Sequence, residues 1–294
     1  MTTQTVSRAL HFDNGTQGWL FGPWQLKSAF QPIFALGTGT AQIAGFEGLI
    51  RPFIGGRGAA PGTFFKNIAG PERQLAETVT RDLHMRNFGT LPVKGAMLFI
   101  NIDPSAFSSI ADIAATLAGI RRLWAKTGAS PRKLVCEITE TRAKSPALLF
   151  ALADAIKANG FRLAIDDYGA EHSDAERLAK LRPDIVKFDG RWIAQLMETK
   201  AGFALIKTLA ARFHDARVET VFEGIETLEQ LELTEFCNAT YVQGFALARP
   251  EIAPTTFDRY AKKPGENRTE EVRAALRELA AEPFEFRPLA ARTA

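Results

Sequence analysis

Cysteine is almost missing from this chain: Cys136 and Cys237 are the only two among 294 residues. Two isolated thiols supply neither a metal-binding spacing nor a disulfide framework, so both are expected to be buried free thiols in a reducing compartment. Histidine is scarce as well. His11, His84, His172 and His214 show no ligand spacing, and surface or packing roles are expected for them. An excess of one charge is lacking too. The net charge is +3, too small for the electrostatic footprint of a nucleic-acid polymer binder, though compatible with a small anionic ligand. No run approaches the ~18 consecutive apolar residues that span a bilayer. Residues 1–15 show no basic stretch followed by an apolar one, so no signal peptide is expected. Together these absences lead to the expectation of a cytoplasmic protein without membrane or nucleic-acid partners.

Apolar residues make up 46% of the chain, including 22 Phe, enough for a large core. Residues 1 to about 24 carry Gly15, Gly18, Gly22 and Pro23, and read as an irregular lead-in that packs Trp19 and Trp24 onto the main body of the fold. Strands are expected near 29–35 and 43–51, then a helix over 71–88. From there strand and helix alternate. Strands at 96–102, 133–139, 162–166, 185–189, 217–222 and 239–246 are separated by helices at 110–127, after Ser145-Pro146, after Ser173, at 197–213 and after Thr227. A short helix near 255–263 completes the series. Ser145 with Pro146 is a favoured helix start, while Ser173-Asp174-Ala175-Glu176 and Thr227-Leu228-Glu229-Gln230 read as capping boxes.

Eight strands, most followed by a helix, predict an α/β fold, a (β/α)8 TIM-like barrel, and a length of roughly 250 residues suits one such unit. The first two strands are joined too tightly for a crossover helix, so one antiparallel strand is expected near the N-terminus. The expected division is a lead-in over 1–28, a barrel over 29–263 and a C-terminal helix and tail over 264–294. Val272, Leu276 and Leu279 share one helical face in that last segment.

The chemistry is expected at the C-terminal ends of the strands. The polar residues there are Glu47 and Arg51, Asn101, Glu137 and Glu140, Asp166 and Asp167, Lys187 and Asp189, Glu223 and Glu226, and Gln243. Glu140 reads as a residue that braces the loop after it, and Glu226 sits where an acid favours a helix start. Carboxylates with one amide and no His or Cys cluster make a hard oxygen site, suited to Mg²⁺ or Mn²⁺ rather than Zn²⁺. Glu47, Glu137, Asp166, Asp167 and Glu223 would balance two divalent ions together with Lys187, and paired ions are the usual device for cleaving a phosphodiester. Neighbouring strand residues face opposite ways, so Asp166 and Asp167 can share a site only where the strand ends. Lys187, set among acids, is expected to orient the attacking water or neutralise charge.

These residues, in this order and spacing, resemble the EAL domain, the bacterial cyclic-di-GMP-specific phosphodiesterase domain, from about Phe30 to Pro250. Phe30-Gln31-Pro32-Ile33 is similar to the family's opening F/Y-Q-P-I, and Glu47-Gly48-Leu49-Ile50-Arg51 to E-A-L-L-R. Asn101 with Pro104, Glu137-Ile138-Thr139-Glu140 and Asp166-Asp167-Tyr168-Gly169 match N-x-x-P, E-x-T-E and D-D-F-G. Lys187-Phe188-Asp189, Glu223-Gly224-Ile225-Glu226 and Gln243-Gly244-Phe245 resemble K-I-D, E-G-V-E and Q-G-Y. The resemblance implies that Glu47, Asn101, Glu137 and Asp166 hold one metal, and Asp166, Asp167 and Glu223 a second. It implies Lys187 and Gln243 at the attacking water, and Gln31, Arg51, Asp189 and Glu226 at the dinucleotide. A homodimer is implied as well.

Two departures stand out. Gly48 replaces the family's Ala without removing a ligand. The loop after the paired aspartates carries Glu171 and His172 where the family has Gly and Tyr. The expected function is metal-dependent hydrolysis of cyclic-di-GMP to the linear dinucleotide. The alternative is a weak or inactive module of the same kind that binds the nucleotide or a protein partner.

Overall fold

The computed structural model describes residues 7–37, 40–68, 71–139, 145–170 and 175–257. In chain order the strands are β1 (Ser7–His11), β2 (Gln17–Phe21), β3 (Trp24–Gly37), β4 (Thr40–Ile54), β5 (Arg57–Gly58), β6 (Met97–Asn101), β7 (Leu134–Ile138), β8 (Arg162–Tyr168), β9 (Ile185–Phe188), β10 (Glu219–Phe222), β11 (Tyr241–Val242) and β12 (Glu251–Ile252). The helices are α1 (Pro61–Lys66), α2 (Pro71–Phe88), α3 (Ile110–Ala125), α4 (Pro146–Ala158), α5 (Ala175–Leu181), α6 (Gly190–Met197), α7 (Lys200–Asp215) and α8 (Leu228–Phe236).

Eight strands form a closed ring in the order β3-β11-β10-β9-β8-β7-β6-β4, with β4 pairing back to β3. The pairs β4–β6, β6–β7, β9–β10 and β10–β11 are parallel, whereas β3 runs antiparallel to β11. The fold is thus the expected α/β barrel with one reversed strand near the N-terminus. Burial along β3 shows where it enters the ring. Trp24, Leu26 and Ser28 are buried in alternation with half-buried Gln25 and Lys27, and from Ser28 to Phe34 every residue is buried. The first pattern suits a strand covered on one face, the second a strand covered on both.

Besides the short added elements α1, β5 and β12, three parts of the chain differ from the sequence expectation. The lead-in is not irregular over 7–21: β1 and β2 form an antiparallel hairpin, and β2 pairs with β3. Its glycines mark the turns of a hairpin, with Gly15 and Gly22 at positive φ (80° and 55°). The helix expected over 197–213 is α7, at Lys200–Asp215, and a separate short helix, α6, precedes it. Asp189 caps α6, and Thr199 restarts the chain as the cap of α7 by accepting from the Gly202 N–H at 3.0 Å. The last ring strand is confined to Tyr241–Val242 because the chain turns at Gln243 to bond Phe222 and Ile225. Both expected helix starts that fall on described residues are present. Ser145 accepts from Leu148 N, and Thr227 and Gln230 form a reciprocal capping box. Ser173 and Asp174, Glu140, most of the helix expected over 255–263 and the whole C-terminal segment lie outside the described residues.

The chain divides into two compact units. Among the described residues, one draws on the stretches within 7–32, 45–164 and 250–257. Its apolar cluster gathers Phe21, Trp24, Leu26, Ile50, Phe64 and Leu83, with Phe64 edge-on to both Phe21 (5.9 Å) and Trp24 (5.6 Å). Trp19 packs on this cluster, as expected. Among the described residues, the other unit draws on the stretches within 33–44 and 165–249. Phe188 is its hub, with Tyr168, Trp192, Phe213 and Phe222 all within 6 Å between ring centroids. Cys136 and Cys237 are buried free thiols, each pushed up to about 12 by burial, which leaves them inert. No helix among the described residues is long and apolar enough to cross a membrane.

Candidate metal centre

In the second unit, β8, β9 and β10 each end in charge. Ile165 is fully buried and Asp166 and Asp167 follow it as half-buried residues. Strand alternation would send these two carboxylates to opposite faces. Asp167 avoids this with a left-handed backbone, φ 57°, which aspartate tolerates better than most residues. β8 does not end at Asp166, as expected, but runs on to Tyr168 and turns at Asp167. One oxygen each of Asp166, Asp167 and Glu223 then lie within 4.8 Å of one another.

Lys187 completes this group. On β9, Phe188 faces the aromatic hub and the adjacent Lys187 faces the other way, almost wholly buried at 1% exposure. Its Nζ lies 2.7 Å from Glu223 Oε1 and 3.2 Å from Asp166 Oδ1. A lone ammonium could not be buried so deeply; two carboxylates make it tolerable. Three half-buried carboxylates against one lysine leave negative charge to spare. Such a donor set fits a hard divalent cation.

The turn beneath this cluster is braced from α6. Gly169 has φ 95°, and a Cβ there would overlap the Trp192 indole. The start of the helix that carries Trp192 is fixed by Asp189 Oδ1, which accepts from the Trp192 backbone N–H at 2.8 Å. Gly169→Ala is therefore expected to destabilise the protein by at least about 2 kcal/mol, since left-handed strain and overpacking add. The midpoint of urea unfolding would report it.

Gln243, buried on the turn after β11, donates its backbone N–H to Phe222 O at 2.9 Å and accepts from Ile225 N at 3.2 Å. Asp189 and Glu226, expected at the substrate, are placed at helix starts. Asp189 caps α6 with its side chain, and Glu226 is exposed with its backbone N–H donated to Gln230 Oε1 at 2.7 Å.

The first unit holds the remaining candidates. Glu47 is buried on β4, with Phe99 of β6 opposite, and Gln31 is buried on β3. Asn101 and Glu137 are register partners across β6 and β7, and Ile102 N bonds Glu137 O at 2.8 Å. Glu137 is wholly buried. Arg51 is half-buried and donates to Ile50 O at 3.0 Å; burial pulls its guanidinium below the usual arginine range, with Glu47 opposing. Arg51 and Asn101 line one cavity of about 230 Å³ within this unit.

The sequence reading missed the far wall of that cavity, formed by Arg73, Glu77, Arg81 and His84 of α2. Arg73 bonds Glu77 at 3.0 Å and Asp103 at 3.4 Å. The residues recur at i, i+4, i+8 and i+11, the spacing of one helix face, and that charged inner face was the available clue. His84 is buried and pushed down to about 3, first by burial and then by the Arg51 charge. A histidine held neutral on folding binds fewer protons than in the unfolded chain, so its contribution is complete above about pH 6.5 and lost as pH falls toward 3. As pH falls from 6.5 to 5, ahead of most carboxylates, stability should fall with a slope that steepens toward about 1.4 kcal/mol per pH unit through this group. Urea melts over that window would show the slope, and His84→Gln should flatten it.

Residues 24–250 match the family model described as the EAL domain. The Escherichia coli K12 protein named probable cyclic di-GMP phosphodiesterase PdeN is 30% identical over 253 residues, covering 82% of this chain and 46% of PdeN. Another from the same strain, probable cyclic di-GMP phosphodiesterase PdeA, is 29% identical over 54% of this chain and 21% of its own length. The chain therefore spans less than half the length of these curated relatives. Among solved structures, Klebsiella pneumoniae BlrP1 in a manganese and cy-diGMP complex has a TM-score of 0.70 at 24% identity, covering 85% of this chain and 60% of that one. A standalone versatile EAL protein of Vibrio cholerae O395, in c-di-GMP-bound form, has a TM-score of 0.67 at 21% identity, covering 81% of this chain and 98% of that one. These two likenesses concern the fold.

Proposed function

This chain belongs to the EAL domain family, and from that premise we propose that it is a metal-dependent phosphodiesterase that hydrolyses one 3′,5′-phosphodiester bond of cyclic-di-GMP to release the linear dinucleotide. The observation that carries the reading is the Asp166, Asp167 and Glu223 cluster with Lys187 buried against two of its members. The proposed ions are Mg²⁺ or Mn²⁺, because every donor is a hard oxygen. Asp166, Asp167 and Glu223 would hold one, and Glu47, Asn101, Glu137 and Asp166 the other. When bound, such ions lower the pKa of a coordinated water and offset charge on the phosphoryl oxygens.

The chain's own residues do the rest. Lys187 keeps the carboxylates from repelling one another and presents a fixed positive charge where the reacting phosphate arrives. Gln243 would help orient the attacking water. Arg51 is suited to a phosphate because its planar fork donates to two oxygens at once, and Gln31 would contact the same dinucleotide. Asp189 and Glu226, which also stand at the starts of α6 and α8, would contact the dinucleotide as well. The proposal includes a homodimer as the working form.

Product analysis tests this reading. Purified protein with Mn²⁺ should convert cyclic-di-GMP to the linear dinucleotide, a large excess of cyclic AMP should not slow it, and Glu47→Ala should abolish it. Tight binding of cyclic-di-GMP without any product would make the chain a receptor instead. Inhibition by unrelated cyclic nucleotides would point to another phosphate substrate.

A further inference from the structure

Gly48 lies between Glu47 and Arg51 on β4, and the space where its side chain would stand is taken. A Cβ built on Gly48 would sit 2.8 Å from His84 Cγ and 3.0 Å from His84 Cβ, inside any normal contact. The atoms in the way are the base of the imidazole, not the far end of a flexible side chain. His84 is also unable to swing aside. Its Nδ1 lies 2.9 Å from Ser28 Oγ, and its ring meets Phe30 edge-on at 6.2 Å. Ser28 Oγ accepts in turn from Asn87 Nδ2 at 3.1 Å. Asn87 clamps Gln17 of β2 by accepting from its N–H (2.7 Å) and donating to its C=O (2.8 Å). β2, β3 and α2 are thereby tied into one polar network, buried at Ser28, His84 and Asn87, that ends in an imidazole pressed on the backbone of β4.

The contact falls one residue from a proposed metal ligand and three from a proposed phosphate ligand. His84 also lines the cavity that Arg51 and Asn101 share. We propose that His84 is a positioning residue: through its contact with Gly48 it sets the path of β4 from Glu47 to Arg51, and so the direction of the Glu47 carboxylate. Gly48 and His84 form a size-matched pair. The glycine in place of the family's alanine is then no loss of function. It is the space that lets His84 reach the strand, and restoring alanine alone would push Glu47 off its line. This inference rests on the reading of Glu47 as a metal ligand.

Four proteins test it: wild type, Gly48→Ala, His84→Ala and the double variant. Two quantities are read: Mn²⁺ affinity by calorimetry, and hydrogen exchange of the peptide covering residues 45–51. Alanine at 48 crowds the imidazole and alanine at 84 removes the support, so each single change should weaken Mn²⁺ binding by about 10-fold and lower protection of 45–51. In the double variant the added methyl occupies space that the imidazole vacated, so affinity should return to within about 3-fold of wild type, a strongly non-additive cycle. Single effects that simply multiply, or singles that change only melting temperature and leave affinity and exchange unmoved, would overturn the proposal. If Gly48→Ala does not fold, His84→Ala against the double variant decides: alanine at 48 should improve both readouts in that background, and worsening them overturns the proposal. If wild type binds no Mn²⁺, the metal reading of Glu47 fails separately, and the exchange cycle still decides whether His84 holds the strand.

Discussion

Asp166→Asn should lower metal-dependent hydrolysis of cyclic-di-GMP by about 10²–10³-fold while leaving the metal-free protein as stable as wild type or more so. Asparagine keeps the shape of the side chain and one acceptor oxygen, and removes a single negative charge. In the absence of metal that charge is partly a burden, since it stands within 4.8 Å of carboxylate oxygens of Asp167 and Glu223 and shares one lysine with Glu223. With metal it is the reason the cation stays. Stability and activity should therefore move in opposite directions, which simple misfolding cannot imitate. Turnover with Mn²⁺ and thermal melting in chelator, measured on the same preparation, check both halves.

Lys187→Met should have the reverse stability signature. Methionine keeps most of the buried stem but leaves Asp166 and Glu223 without the ammonium that lies 3.2 and 2.7 Å from them. Removing one partner of a buried ion pair costs about 3–5 kcal/mol, so melting in chelator should drop by roughly 10 °C for a domain of this size. Mn²⁺ should recover most of that drop, because a divalent cation replaces the missing charge, and the variant should bind Mn²⁺ at least as tightly as wild type. Turnover should nevertheless fall by about 10²-fold or more, since the fixed charge aimed at the reacting phosphate is gone. A variant that is folded and metal-loaded but slow would separate the work of Lys187 from that of the carboxylates. Loss of Mn²⁺ affinity would contradict this division.

Much of this organisation is legible in the residues themselves. Short apolar runs ending in acid predict strands that deliver carboxylates to one rim, and Ser145-Pro146 and Thr227-x-x-Gln230 predict helix starts that are found. What the sequence hides depends on contacts between distant residues or on single dihedral angles. The β1–β2 hairpin looks irregular because its glycines suggest a loop, and only its pairing with β3 makes it a sheet. Asp166 and Asp167 look incompatible until the left-handed φ of Asp167 turns the second carboxylate. Gly48 reads as a harmless departure from a signature. Its meaning appears only when His84, 36 positions away in the chain, is found in the space where a methyl would stand. Asp189 carries a structural part that its motif does not announce: its side chain caps α6.

The most direct test of the central claim is a metal titration of turnover. Purified protein stripped by chelator is given cyclic-di-GMP, and linear dinucleotide is followed as Mn²⁺ or Mg²⁺ is added back. The account predicts no product without metal, product that rises and saturates with the added ion, and loss of that rise in Asp166→Asn. Product formed equally well in chelator, or bound cyclic-di-GMP that stays intact at saturating metal, would contradict it.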